Sequence, residues 1–135
     1  MTVSLQRKAN AAMAQTVTIG HHAWLVDVSA EEGGADEGPS PHDLYDAALG
    51  ACKALTVMWF ARKKGIAVDD VQTKIVRDDA DEREGVYRLK AELLISGSFS
   101  DTEFAQLVAV ADKCPVHKLM TSVTTEITTT VQRAA

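Results

Sequence analysis

Two cysteines, Cys52 and Cys114, are the side chains of this sequence best suited to chemistry. A thiolate is a nucleophile and a metal ligand, and two thiols that meet can cycle between dithiol and disulfide. Around Cys114 the run DKCPVHKL supplies Lys113, His117 and Lys118, and the proline after the cysteine marks a helix start. Cys114 therefore falls at an N-cap, where free backbone N–H groups and the helix dipole stabilise a negative sulfur. Cys52 lies instead within AALGACKALTVMWFA, where Lys53 and Thr56 are the only polar side chains. Burial there would leave the thiol inert unless a cation or hydrogen-bond donor arrived from another segment. Position alone thus favours Cys114 as the reactive thiol and makes Cys52 a core residue.

Cys52, Cys114, His117 and His42 also form a conceivable tetrahedral zinc set. Structural zinc sites usually draw ligands from tight pairs such as CxxC, and Cys114 with His117 is the sole close pair here, so redox chemistry ranks above metal binding. No metal or other cofactor is called for. His21 and His22, beside Trp24 on an expected strand, read as surface or packing residues.

The elements that must position these groups can be read along the chain. Val3–Leu5, Thr16–Ile19 and Trp24–Val28 are short β-type runs that suggest an antiparallel meander. EEGGADEGPSP, residues 31 to 41, is too rich in glycine, proline and acid for regular structure and is expected to be a surface loop. Ser40 as N-cap, Pro41 in the first turn and Asp43 in a capping-box position then open a long helix. It closes at ARKKG, with cations in its last turn and Gly65 at the stop.

A helix from Pro41 to Lys64 is about 36 Å long at 1.5 Å per residue. It is apolar nearly all round from Ala47 to Ala61 and so must be wrapped by protein. A chain this size has a radius of gyration of only about 14 Å, so a second subunit is expected to cover what one cannot. Beyond the helix, Val68–Val76 and Tyr87–Ile95 read as a hairpin around the charged turn RDDADEREG. Ser100 and Glu103 cap an amphipathic helix carrying Phe104, Leu107, Val108 and Ala111 on one face and ending near Lys113. A short helix from Cys114–Pro115 through Met120 follows, and TTEITTTV, at residues 124 to 131, suggests a final strand.

The bulk numbers set the class. A chain of 135 residues, 46% hydrophobic and 24% charged, is expected to fold as one domain over residues 1 to 135. Its net charge of -5 argues against nucleic-acid and anionic-membrane partners, and points to neutral or apolar small molecules. Neither a secretory signal nor an 18-residue apolar stretch is present, so a cytoplasmic location is expected.

The run GGADEGPSPHDLYDAALGACKALTV, followed some sixty residues later by ADKCPVHKLM, resembles the OsmC/Ohr superfamily of osmotically inducible and organic hydroperoxide resistance proteins. The resemblance implies an α+β fold: an intertwined homodimer with an antiparallel sheet around a long buried central helix and active sites near the subunit interface. It further implies a thiol-dependent peroxidase in which Cys52 attacks a hydroperoxide and becomes a sulfenic acid, and Cys114 resolves it as a disulfide that an external dithiol reduces. Hydroperoxide reductases of this superfamily use an arginine steadied by a glutamate near the start of the long helix. This chain departs from that pattern: the glutamate position is His42, with Asp43 beside it, and Arg7 corresponds to the arginine only by a loose placement. An apolar pocket near Tyr45, Leu49 and Trp59 is expected to favour organic hydroperoxides. Two alternatives stand beside this one: a non-catalytic, redox-sensing binder of a small apolar ligand, and a hot-dog-like thioesterase fold.

Overall fold

The computed structural model describes residues 1 to 135 as two compact units, Met1–Ala48 and Leu49–Ala135, whose boundary falls inside one continuous helix. No helix is long and apolar enough to cross a membrane.

In the first unit, β1 (Ser4–Arg7), β2 (Gln15–Ile19) and β3 (His22–Val26) form the expected antiparallel meander. Register runs from Ser4 opposite Thr18 to Arg7 opposite Gln15, and then from Gln15 opposite Val26 to Ile19 opposite His22. Ala14, Val17 and Val26 are its buried apolar residues. The rings of His21 and His22 meet at the β2–β3 turn, tilted by 39° with centroids 4.1 Å apart, and both residues are exposed.

The loop after β3 is more ordered than its composition suggested. It begins with a 3-10 turn at Ala30–Glu32, and the buried carboxylate of Asp27 then gathers the chain by accepting N–H bonds from Val28, Ala35 and Glu37 at 2.8, 3.1 and 3.1 Å. These bonds hold its carboxyl below the ordinary value of 3.8, with the Glu37 N–H the largest contribution. Glycine is required where the loop folds back: a Cβ on Gly38 would lie 2.2 Å from the carbonyl oxygen of Leu25, and one on Gly34 would lie 2.3 Å from that of Val28.

Helix α1 spans Pro41–Lys64 and starts as expected. Ser40 Oγ accepts the Asp43 N–H at 3.1 Å, and the Asp43 carboxylate accepts the Ser40 N–H at 2.9 Å. Arg62, Lys63 and Lys64 occupy its last turn, and Gly65 ends it at φ 70°.

In the second unit, β4 (Ala67–Asp78) and β5 (Arg88–Ser98) pair antiparallel as a two-stranded sheet separate from the meander. α1 approaches the hairpin closely at Gly50, where an added Cβ would lie 3.0 Å from Ile75 Cγ1. α2 (Asp101–Ala111) is opened by the reciprocal Ser100–Glu103 box, and α3 (Pro115–Ser122) follows with Cys114 as N-cap. The core is Val57 and Ala61 of α1, Ile66 and Leu107, flanked by Phe60, Val71, Leu93, Ile95 and Val110. Of the face expected on α2, Leu107 is fully buried but Phe104 and Val108 are exposed, Phe104 stacking on Phe99 with ring centroids 5.9 Å apart.

As the length argument expects, the chain by itself covers only part of the long helix: Leu49, Val57 and Ala61 are buried, whereas Leu55, Met58 and Trp59 are 64%, 52% and 63% exposed. One expectation changes: the final strand is not formed, because residues 123 to 135 carry no regular structure and are exposed throughout. Alternation and threonine content make a segment suited to a strand, but a ladder also needs an edge to pair with, and this segment pairs with none in its own chain.

Candidate active site

The first turn of α3 brings the two cysteines together. Any helix start leaves N–H groups without intrahelical acceptors. Here Pro115 has no N–H, the Val116 N–H donates to Cys52 Sγ at 3.5 Å, and the His117 N–H donates to Cys114 Sγ at 3.3 Å. The Lys118 N–H then bonds the Cys114 carbonyl at 3.3 Å, within the helix. Successive amides thus serve two sulfurs that are 62 positions apart in the chain. Both sulfurs thus sit at the N-terminal, positive end of the α3 dipole. Both are free thiols.

Their surroundings differ. Cys52 is half-buried, with the Thr56 hydroxyl one helical turn on at 4.0 Å. Cys114 is completely buried, and burial, more than any other influence, pushes its thiol above the ordinary value of 9.0. The His117 N–H pulls the other way, the Cys52 sulfur adds to the rise, and the Lys53 charge opposes it. The N-cap argument that favoured Cys114 as the acidic thiol is therefore overridden: sequence reveals the cap but not the depth at which it sits.

Sequence reasoning left Lys53 and Thr56 without a role. Lys53 is 4% exposed, and its Nζ bonds the carbonyl of Ala111, the last residue of α2, at 3.0 Å and His117 Nδ1 at 3.0 Å. Neither partner is a carboxylate. A buried ammonium is costly without compensating partners, so its setting at the negative end of α2 matters. The available signal was that Lys53 is one of two polar side chains in the Ala47–Ala61 run.

The other expected site residues have the following local settings. Arg7, at the end of β1, donates from its guanidinium to the Ala11 carbonyl at 3.1 Å. Asp43 is engaged in the α1 cap, and His42 stands beside it in the first helical turn. Tyr45 is 46% exposed, Leu49 is buried, and Trp59 faces solvent with Lys63 Nζ 5.0 Å from its ring centroid. No group of three or more His, Cys, Asp or Glu side chains has an arrangement able to hold a metal ion.

The arrangement is a dithiol held at a helix N-terminus. Residues 33 to 129 match the family model described as OsmC-like protein. The chain belongs to the OsmC-like family. Among solved structures, the OsmC-like protein of Mycoplasma pneumoniae superposes with a TM-score of 0.70 at 18% identity, over 91% of this chain and 89% of that one. An organic hydroperoxide resistance protein OsmC from Legionella pneumophila gives 0.62 at 20% identity, over 90% of each chain. The organic hydroperoxide resistance protein OhrB of Bacillus subtilis gives 0.56 at 23% identity, over 90% of this chain and 92% of that one. At such identities these structures establish the α+β fold of the OsmC-like chain. No curated protein sequence matches it.

Proposed function

We propose that this OsmC-like protein is a thiol-dependent peroxidase acting on organic hydroperoxides through Cys52 and Cys114. One observation carries the reading: consecutive amides of the α3 first turn, those of Val116 and His117, bond the two sulfurs. Burial keeps Cys114 protonated, so the attacking role falls to the less buried Cys52. Its thiolate attacks the distal oxygen of ROOH, the O–O bond breaks, and the alcohol ROH leaves with a proton while Cys52 becomes a sulfenic acid. Cys114 then attacks that sulfur, the S–O bond breaks, and a disulfide and water result. An external dithiol returns both residues to thiols by exchange. The hydroperoxide resistance names of the Legionella and Bacillus relatives support the same assignment.

The working form is a homodimer. Leu55, Met58 and Trp59 leave an apolar strip of α1 open to water, and residues 124 to 131 have the composition of a strand without an edge. A second copy can supply both a cover and an edge, and the substrate's apolar part would lie along this strip near Trp59.

The test is turnover of cumene hydroperoxide with a dithiol reductant, followed as peroxide loss. Wild-type protein should lose two thiols per chain on oxidation and turn over repeatedly, and Cys52→Ser should not turn over. Unchanged consumption by that variant, or slow stoichiometric oxidation of wild type without turnover, would remove the peroxidase assignment. The latter outcome would favour the redox-sensing alternative.

A further inference from the structure

The peroxidase cycle requires Cys114 to give up a proton where burial opposes it, and one buried cation stands close by. We infer that Lys53 and His117 form a positioning pair for the resolving step, with His117 linking the Lys53 charge to the sulfur of Cys114. This inference rests on the proposed cycle but adds to it.

The geometry is specific. The His117 backbone N–H donates to Cys114 Sγ at 3.3 Å, while its ring Nδ1 lies 3.0 Å from Lys53 Nζ. As an ammonium, Lys53 has only donors, so Nδ1 is the acceptor in this contact. The second Lys53 bond, to the Ala111 carbonyl at 3.0 Å, fixes the ammonium against the C-terminal end of α2. Lys53 therefore cannot swing out to water without breaking both bonds, and it is 4% exposed. The cation is held next to the residue that caps the resolving thiol, and its charge favours the ionised form of that thiol.

The role is confined to one chemical step. After Cys52 has become a sulfenic acid, Cys114 must lose its proton, attack Cys52 Sγ and expel hydroxide, which takes up a proton to leave as water. No outside oxidant is needed, because the sulfenic acid is reduced as the disulfide forms. A positive charge near Cys114 lowers the barrier to its ionisation, and the pair touches neither the peroxide nor the reacting oxygen.

The test separates the two half-reactions. Reduced protein is treated with one equivalent of cumene hydroperoxide, then quenched at intervals with dimedone, which traps sulfenic acid. Intact mass distinguishes the dimedone adduct from the disulfide. In Lys53→Met, disulfide formation should slow about tenfold, the effect of a one-unit change in thiol ionisation, and the Cys52 adduct should accumulate. Lys53→Arg, which keeps the charge, should restore the rate to within about threefold of wild type. His117→Gln keeps the backbone cap but alters the lysine's anchor, and should also slow disulfide formation, so it carries the test if Lys53→Met does not fold. Disulfide formation at the wild-type rate in the neutral variant, or no rescue by arginine, would overturn the inference. Failure of the cycle itself would look different: no adduct and no disulfide in any protein, wild type included.

Discussion

Alkylation of the native, reduced protein should distinguish the two thiols sharply, with Cys52 modified well before Cys114. At pH 8 a thiol at the ordinary value of 9.0 is about one-tenth ionised, and Cys114 lies above that value, so its thiolate fraction is smaller still. It is also 0% exposed, and iodoacetamide reaches it only after local opening. Even about 2 kcal/mol of opening free energy lowers the accessible population roughly thirtyfold. Cys114 should therefore react at least about thirtyfold more slowly than a free thiol, whereas half-buried Cys52 needs no such opening. Trypsin places the cysteines on separate peptides, Ala9–Lys53 and Cys114–Lys118, so a timed iodoacetamide series at pH 8 read by mass spectrometry gives both rates. In denaturant the two rates should converge. Equal native rates, or Cys114 reacting first, would refute the argument that burial outweighs the helix N-terminus at Cys114, and with it the order of roles proposed above.

Leu107→Ala removes a fully buried side chain packed with Val57, Ala61 and Ile66, and should cost about 3 kcal/mol in urea unfolding; a loss below about 1 kcal/mol would mean that this core is not the second unit's main support. Asp27 has a folded pKa below its ordinary value, so its contribution is fully present above about pH 3.8 and is lost as pH falls through the lower folded value. Amide exchange at Ala35 and Glu37 should accelerate over that acid range, and Asp27→Asn should flatten the dependence; exchange in wild type that shows no acid-linked change would count against the clamp. Gly38→Ala places a Cβ 2.2 Å from the Leu25 carbonyl oxygen, so the backbone must shift at a cost of about 1–3 kcal/mol, seen as faster protease cleavage in the 31–41 loop; wild-type resistance would show that the close approach can be relieved cheaply.

Local chemistry explains why so much of the element order is legible along the chain. The Ser40–Pro41 start and Gly65 stop of α1, and the Ser100–Glu103 box of α2, depend on bonds made within a few residues, so residue types nearly suffice. The meander and the hairpin follow from alternation. The cysteine blocks carry the family, which the match over residues 33 to 129 establishes. What composition hid was the order imposed on the 31–41 loop by Asp27, a side chain outside it whose carboxylate reaches Ala35 and Glu37.

Residue type and spacing determined where helices begin and end, which thiols exist, and that Cys114 caps α3, because those properties are settled by near neighbours in the chain. Only the tertiary structure decided how deeply Cys114 is buried, that Val116 serves the sulfur of Cys52, and that Lys53 meets His117. Each depends on segments some sixty positions apart arriving at one place, and desolvation and charge act through space rather than along the backbone. The same reason leaves residues 124 to 131 without a strand: the pattern is local, but the edge it needs must come from elsewhere.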